Sequence, residues 1–597
     1  MKHLIYVGIF FLQCLLLHGN SIPRPEYPRP QFERVDWINL NGEWSYEFDF
    51  GKSGMDRNLY ASKGFSKKII VPFCPESELS GVHYIDFIPA MWYHRAIQCP
   101  MSWKGKHIYL HFGAVDYFCA VYVDGQLVGR HWGGSSSFKF DITPFVADGK
   151  THDLVVRVED DVRSGLQTCG KQSTSFGSQG CFYTRTTGIW QTVWMECVSP
   201  FGLKECRILP DFDQKSFVLQ PEFYALKKGM KLQVLLKEKN RVVVKKTMLA
   251  STFMTVMLPV ANPKTWTPEA PFLYDIEMLV IDEDGTVMDK VFSYAGMRKI
   301  HIEGNRLFLN NKPYYLRLVL DQGFYPKGIW TAPSDADLKR DIELGLAAGF
   351  NGARLHQKVF EERFHYWADK LGYLTWGESA SWGIDMNSPE AARNFLTEWE
   401  EIIVRDRNHP SIIVWTPFNE TWGRPDDNEA ARQHDRLISD VYNLSHHLDY
   451  RPVNDASGNY HVKTDLWSVH HYAQSGPEMI KRLTLVNGQL PQKDVKKEVK
   501  YDGQPYFLDE YGGIKWVVGK EYAENTWGYG NGPKTEEEFY NRLMEVTNVV
   551  LQTPFIAGYC YTQLTDVEQE QNGIYNYDRT PKFNMKRISQ IFSQKPY

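Results

Sequence analysis

The last three hundred or so residues set the strongest limit on the fold. Short apolar runs alternate there with helix-patterned stretches, at 315–320, 351–355, 373–376, 412–417, 452–455, 466–470, 506–510 and 556–561. Alternation of this kind predicts a parallel sheet covered by helices, because parallel neighbours must be joined by a crossover. Eight such runs over that length predict a (β/α)₈ TIM barrel. The helical stretches carry their own punctuation. Ser334 reads as an N-cap before a Leu338/Ile342/Leu346 face, and 395–405 and 430–448 also have helical periodicity.

Two of the runs lead into glutamates. Glu420 follows the fourth, in Trp415-Thr-Pro-Phe-Asn-Glu420, and Glu510 closes the seventh, in Tyr506-Phe-Leu-Asp-Glu510. In a barrel of this type the C-terminal strand ends surround one pocket, so both carboxyls are expected to project into it. A single glutamate at a strand end is ordinarily a solvated or salt-bridged residue. Two carboxyls facing each other across a pocket are the minimal equipment for breaking a glycosidic bond, and roughly 5 Å between them is the retaining arrangement.

The chain ahead of the barrel has a different texture. Residues 22–199 show short alternating runs such as His107–Phe112, Phe118–Val123 and His152–Val158, with Asp124-Gly125 as a hairpin turn. This predicts a jelly-roll β-sandwich. Residues 200–297 continue with strand-like runs at 232–238 and 274–281, the size of an immunoglobulin-like sandwich. The barrel is assigned to 298–597. At 597 residues the chain is too long for one core, as this three-domain division requires.

A net charge of −5 and a pI of about 6.4 exclude a general nucleic-acid or anionic-membrane binder. Lys2, the apolar stretch Leu4–Leu17 and the small or polar residues Gly19–Ser21 read as an export signal over residues 1–20, too short to span a bilayer. A periplasmic or extracellular protein without a membrane span is expected. Of the nine cysteines, Cys14 lies in that leader, and the other eight lack metal-ligand spacing. Cys169 and Cys181 flank a Gly/Ser-rich loop, an arrangement open to a disulfide in an oxidising compartment. No metal or cofactor is expected.

Across nearly the whole mature length the sequence resembles glycoside hydrolase family 2, which includes β-galactosidases, β-glucuronidases and β-mannosidases. The resemblance is carried by Leu40-Asn-Gly-Glu-Trp44, Trp92-Tyr-His-Arg95 and Thr187-Gly-Ile-Trp-Gln191 in the first domain. In the barrel it is carried by Phe350-Asn-Gly-Ala-Arg354-Leu-His356, Asn419-Glu420 and Asp509-Glu510-Tyr511-Gly512. It implies a general acid/base role for Glu420, a nucleophilic role for Glu510, and a 2-hydroxyl contact for Asn419. A nucleophile must stay ionised, so it needs donors, and Arg354 and Tyr472 are the candidates. His356, Asp321, Trp376 and Tyr561 are further pocket candidates at strand ends, although Tyr561 falls where many relatives carry Trp. Asp566 opens the acidic stretch 566–572, which is placed to meet substrate hydroxyls. The family's glucuronidases grip the uronate with an Asn-x-Lys pair. None occurs between Tyr561 and Pro581, while Asn584-Met-Lys586 lies later. An exo-acting retaining glycosidase on an oligosaccharide or glycoside is the leading expectation. A non-catalytic carbohydrate-binding protein and a transglycosidase are the alternatives, and a homo-oligomer stays open.

Overall fold

The computed structural model describes residues 22–486, 488–494, 496–519 and 525–596. The leader read at residues 1–20 lies outside them. The first domain packs a four-stranded sheet (Trp37–Asn39, Val193–Val198, His107–Phe112, Phe138–Asp141) against a six-stranded one centred on Ala90–Gln98 and Thr151–Glu159. Alternate residues of the two sheets, among them Leu110, Phe112, Val121, Val156 and Met195, are buried between them. Such burial contributes about 25 cal/mol for each Å² of apolar surface removed from water. Asp124 and Gly125 join Phe118–Val123 to Gln126–Trp132, both with positive φ (48° and 77°), as a tight hairpin turn requires. The second sandwich pairs a three-stranded sheet (203–223 and 256–259) with a four-stranded sheet ordered Arg241–Leu249, Lys231–Glu238, Tyr274–Ile281, Val287–Ala295.

In the barrel, seven parallel strands run in the spatial order Ile412–Thr416, Leu374–Glu378, Gly352–Leu355, Leu316–Asp321, Ile556–Thr562, Tyr506–Gly512, Trp467–His471. The fifth run expected from the sequence, 452–455, does not join this ladder. Val453 bridges Trp415, and Ala456–Ser457 pairs with Phe418–Asn419. Side chains replace the missing ladder on the other flank: Ser468 Oγ donates to Asn454 Oδ1 (3.1 Å), and Gly458 N donates to Ser468 Oγ (3.1 Å). Asn454 and Asp455 are fully buried, and Asp455 accepts from the amides of Val462 and Lys463. Polar side chains thus close the circuit where an apolar strand was expected.

Ser334 caps the helix Asp335–Ala347 by accepting from Asp337 N. The helix expected over 395–405 runs Pro389–Asp406, because Ser388 caps it and Pro389 suits its first turn. The eight cysteines among the described residues are free thiols, so the Cys169–Cys181 bridge is not formed. The loop carrying them is tied to the barrel instead. Cys169 N donates to Trp382 O (2.7 Å), Gly170 N to Ala380 O (3.0 Å), and Gln569 Nε2 to the carbonyls of Gly180 and Phe182 (2.8 and 2.9 Å). The first sandwich therefore supplies part of the barrel's mouth. Among the described residues, no helix is long and apolar enough to cross a membrane.

Candidate active site

Glu510 lies on the strand Tyr506–Gly512, with its side chain 6% exposed. Arg354 Nη1 donates to its Oε1 (2.9 Å), and the Tyr472 hydroxyl donates to its Oε2. The Arg354 guanidinium is fully buried and has further acceptors. It forks onto Glu378 (2.6 and 3.2 Å) and donates to Asn419 Oδ1 (2.7 Å) and Asp509 O (3.2 Å). A guanidinium held on several sides is a fixed charge, pre-aimed at Glu510. Tyr472 is in turn stacked on Tyr529, with ring centroids 3.3 Å apart. Gly513 (φ 57°) makes room for that pair, since a Cβ there would lie 2.3 Å from the Tyr529 ring.

Glu420 sits just beyond Phe418–Asn419 with φ 42°, a left-handed backbone that a non-glycine residue adopts at a sharp turn. Its amide donates to Ser457 O (3.0 Å), and its carboxyl accepts from His470 Nδ1 (2.7 Å) and Trp422 Nε1 (3.1 Å). His470 Nδ1 also lies 3.3 Å from Glu510 Oε2, while its Nε2 faces Ser457 Oγ (3.0 Å) and Asp509 Oδ1 (3.4 Å). One carboxylate oxygen of Glu420, one of Glu510 and a ring nitrogen of His470 all lie within 4.8 Å of one another. That closeness matches the retaining arrangement and is well short of the 6.5 Å or so that an intervening water needs.

Burial pushes Glu510 up, but the charges of His470 and Arg354 outweigh it and hold the carboxyl below the ordinary glutamate range. Burial also raises Glu420, but the His470 hydrogen bond and charge, with Lys171 and Trp422 behind them, bring it down to about 2. Burial lowers His470, but the fields of Glu510, Asp509 and Glu420 more than reverse this. The shared proton is therefore drawn toward His470 Nδ1, one hydrogen bond from Glu420. A cationic imidazole facing Glu420 favours the ionised carboxylate.

The other expected residues divide into two groups. Asn419 and Arg354 join the carboxyl pair, and His356 lies beside it, 3.1 Å from Glu378 Oε1 and 4.0 Å from Glu510 Oε1. Burial, then Arg354 and Lys171, keep His356 well below the ordinary histidine value. Asp321, Trp376, Tyr561 and Asp566 are not brought to the pair. Asp321 accepts from Gly323 N (2.9 Å) and is pushed up to about 7, first by burial and then by Asp341. Trp376 is fully buried, bonded to Thr416 Oγ1 and edge-on to Phe507, so it packs the barrel interior. Tyr561 turns the other way, against Tyr511 and Phe592. Asp566 is held by Lys582 Nζ (2.5 Å) and Gly573 N (2.9 Å). Within the acidic stretch, the buried Glu570 is the acid whose field reaches Glu510.

His470, Lys171, Tyr183 and Trp382 are not among the residues expected at the site. Lys171 and Tyr183 come from a loop of another domain with no periodicity to mark them. Trp382 Nε1 donates to Asn419 O (2.9 Å), and its ring carries the Lys171 ammonium at 4.6 Å. Phe182, Trp382, Asn419, Glu420 and Trp422 line a cleft of about 550 Å³ that opens beside Glu420.

Three family profiles match in succession. The one described as "Glycosyl hydrolases family 2, sugar binding domain" covers residues 38–195, "Glycosyl hydrolases family 2" covers 218–298, and "Glycosyl hydrolases family 2, TIM barrel domain" covers 300–595. The chain belongs to glycoside hydrolase family 2. It is 24% identical over 440 residues to a β-galactosidase of Thermoanaerobacter pseudethanolicus, covering 70% of this chain and 54% of that protein. The chain thus spans about half the length of that relative. It is 23% identical over 626 residues to the β-glucuronidase of Sus scrofa, covering 95% and 91%. A β-glucuronidase from Ruminococcus gnavus solved with D-glucuronic acid superposes with a TM-score of 0.78 at 20% identity, covering 96% of this chain and all of that one.

Proposed function

We propose that the protein is an exo-acting retaining glycosidase that releases a terminal sugar by double displacement. The observation that carries this reading is the approach of the Glu420 and Glu510 carboxylates to within 4.8 Å. Glu510, kept ionised by Arg354 and Tyr472, attacks the anomeric carbon and forms a glycosyl ester as the C1–O bond to the aglycone breaks. His470 Nδ1 gives its proton to Glu420, which passes it to the departing oxygen and is left ionised. Esterification removes the Glu510 charge, so Glu420 then finds less negative charge beside it and acts as base toward water. Arg354 fixes Asn419 through Oδ1, which leaves the amide Nδ2 as donor for a substrate hydroxyl. The cleft beside Glu420, walled by Trp382 and Trp422, suits the aglycone. We also read residues 1–20 as an export signal that places the enzyme outside the cytoplasm, which N-terminal sequencing of the mature protein tests.

The test is kcat/KM over a panel of aryl β-glycosides as a function of pH. Activity is lost on the acid side when Glu510 takes a proton. Its lowered pKa puts that limb below the ordinary glutamate value of ~4.3. Activity is lost on the alkaline side when the proton shared by His470 and Glu420 leaves. The raised His470 puts that limb above ~6.5. His470→Asn should move the alkaline limb down and leave the acid limb within the carboxylate range. A wild-type alkaline limb near pH 5 would contradict the shared-proton account.

A further inference from the structure

Lys171 is the cation near the carboxyl pair that takes no direct part in the double displacement. It belongs to the first sandwich yet reaches the barrel's mouth, where it is 7% exposed. Its ammonium lies over the Trp382 ring, 4.6 Å from the centroid, and makes no side-chain hydrogen bond or ion pair among the described residues. Burial alone would drive its pKa down, but the fields of Cys181, Glu570, Glu510 and Glu420 raise it. It is thus a largely buried cation with no bonded protein acceptor among the described residues, and a ligand can supply one.

The carboxylate whose field bears most on Lys171 is Glu570, which is 2% exposed. The Tyr183 hydroxyl donates to one of its oxygens and Asn572 Nδ2 to the other (3.1 Å), leaving each oxygen a further lone pair. Tyr183, also from the first sandwich, is itself positioned by Gln322 Nε2 (2.7 Å). We propose that Lys171 and Glu570 form a donor–acceptor clamp, built from two domains, that reads a hydroxyl of the bound sugar and selects a neutral glycosyl residue over a uronate. This rests on the glycosidase reading above. A hydroxyl can accept from Lys171 while donating to Glu570. A carboxylate can do only the first, and it brings a like charge toward Glu570.

Two further observations favour the neutral sugar. The acids around the site, the buried Glu378, Asp509, Glu510 and Glu570 and the part-exposed Glu420, face three cations, Arg354, Lys171 and His470, so an anionic sugar would enter a field already negative. The Asn584-Met-Lys586 segment supplies no grip for a carboxylate. The Asn584 side chain caps the last helix, and both Asn584 and Lys586 are exposed.

The experiment compares 4-nitrophenyl β-D-galactoside, β-D-glucoside and β-D-mannoside with the β-D-glucuronide, using the full chain and its Lys171→Met and Glu570→Gln variants, each checked for an unchanged melting curve. The wild type should favour its best neutral substrate over the glucuronide by roughly 100-fold in kcat/KM. Lys171→Met should raise KM for that substrate about tenfold while kcat changes far less, and Glu570→Gln should narrow the neutral-to-uronide ratio about tenfold. A wild type that prefers the glucuronide, or a Lys171→Met variant with unchanged KM, overturns the clamp while leaving the glycosidase reading intact. Turnover of neither class would overturn the glycosidase reading instead. The clamp is then decided by calorimetry with D-glucono-lactam and D-glucaro-lactam: tighter binding of the neutral lactam, weakened in Lys171→Met, supports it, and equal or reversed affinities refute it.

Discussion

Replacing Glu510 by alanine lowers kcat/KM on aryl β-glycosides by on the order of 10⁴-fold or more, because no other group stands where the nucleophile must be. Azide restores part of the rate, since a small anion fits the space left by the carboxylate. The glycosyl azide formed has inverted, α configuration, because the anion attacks from the Glu510 face in a single displacement. The loss is chemical, not structural. Arg354 keeps its fork on Glu378 and its bond to Asn419 in the variant, so the melting curve stays close to wild type. Activity near wild type in Glu510→Ala would place the nucleophile elsewhere.

Glu420→Ala separates the two roles of the second carboxyl. Substrates with poor leaving groups need the proton, and their turnover falls by roughly 10³-fold, whereas 2,4-dinitrophenyl glycosides, which leave unaided, form the glycosyl-enzyme at a nearly normal rate. Hydrolysis of that ester then limits the rate, because the base is gone. Azide accelerates this second step and gives a β-glycosyl azide, the stereochemical opposite of the Glu510 variant. Removing Glu420 also takes away the hydrogen-bonded partner of His470 Nδ1 at 2.7 Å, so the alkaline limb of the pH profile weakens along with the rate. An equal loss for good and poor leaving groups would show that Glu420 positions substrate without transferring a proton.

Much of the fold was legible because the signals were local. Alternation at period two marked the sandwich strands, Asp124-Gly125 marked a hairpin, and Ser334 marked a helix start. The run 452–455 misled because its place in the barrel is filled by buried polar side chains, notably Asn454 and Asp455, which an apolar pattern does not register. At the site, the two glutamates and Arg354 were readable from strand-end position and motif. Trp376 and Tyr561 were not, because which face of a barrel strand a residue takes depends on register, and a one-residue step turns it from pocket to packing. His470 is not among the residues expected at the site, because only the folded site shows its ring reaching Glu420, Glu510 and Asp509 together. Lys171 and Tyr183 were invisible for another reason. They reach the barrel across a domain boundary, and nothing in a Gly/Ser-rich loop announces its destination.

The reading depends most on the separation of the two carboxylates, and stereochemistry reports that separation directly. Proton NMR during hydrolysis of an aryl β-glycoside records the first anomer released, before mutarotation. The β-anomer is predicted, because oxygens within 4.8 Å leave no place for a water to attack directly. First appearance of the α-anomer would mean a single displacement, and would contradict a covalent intermediate on Glu510.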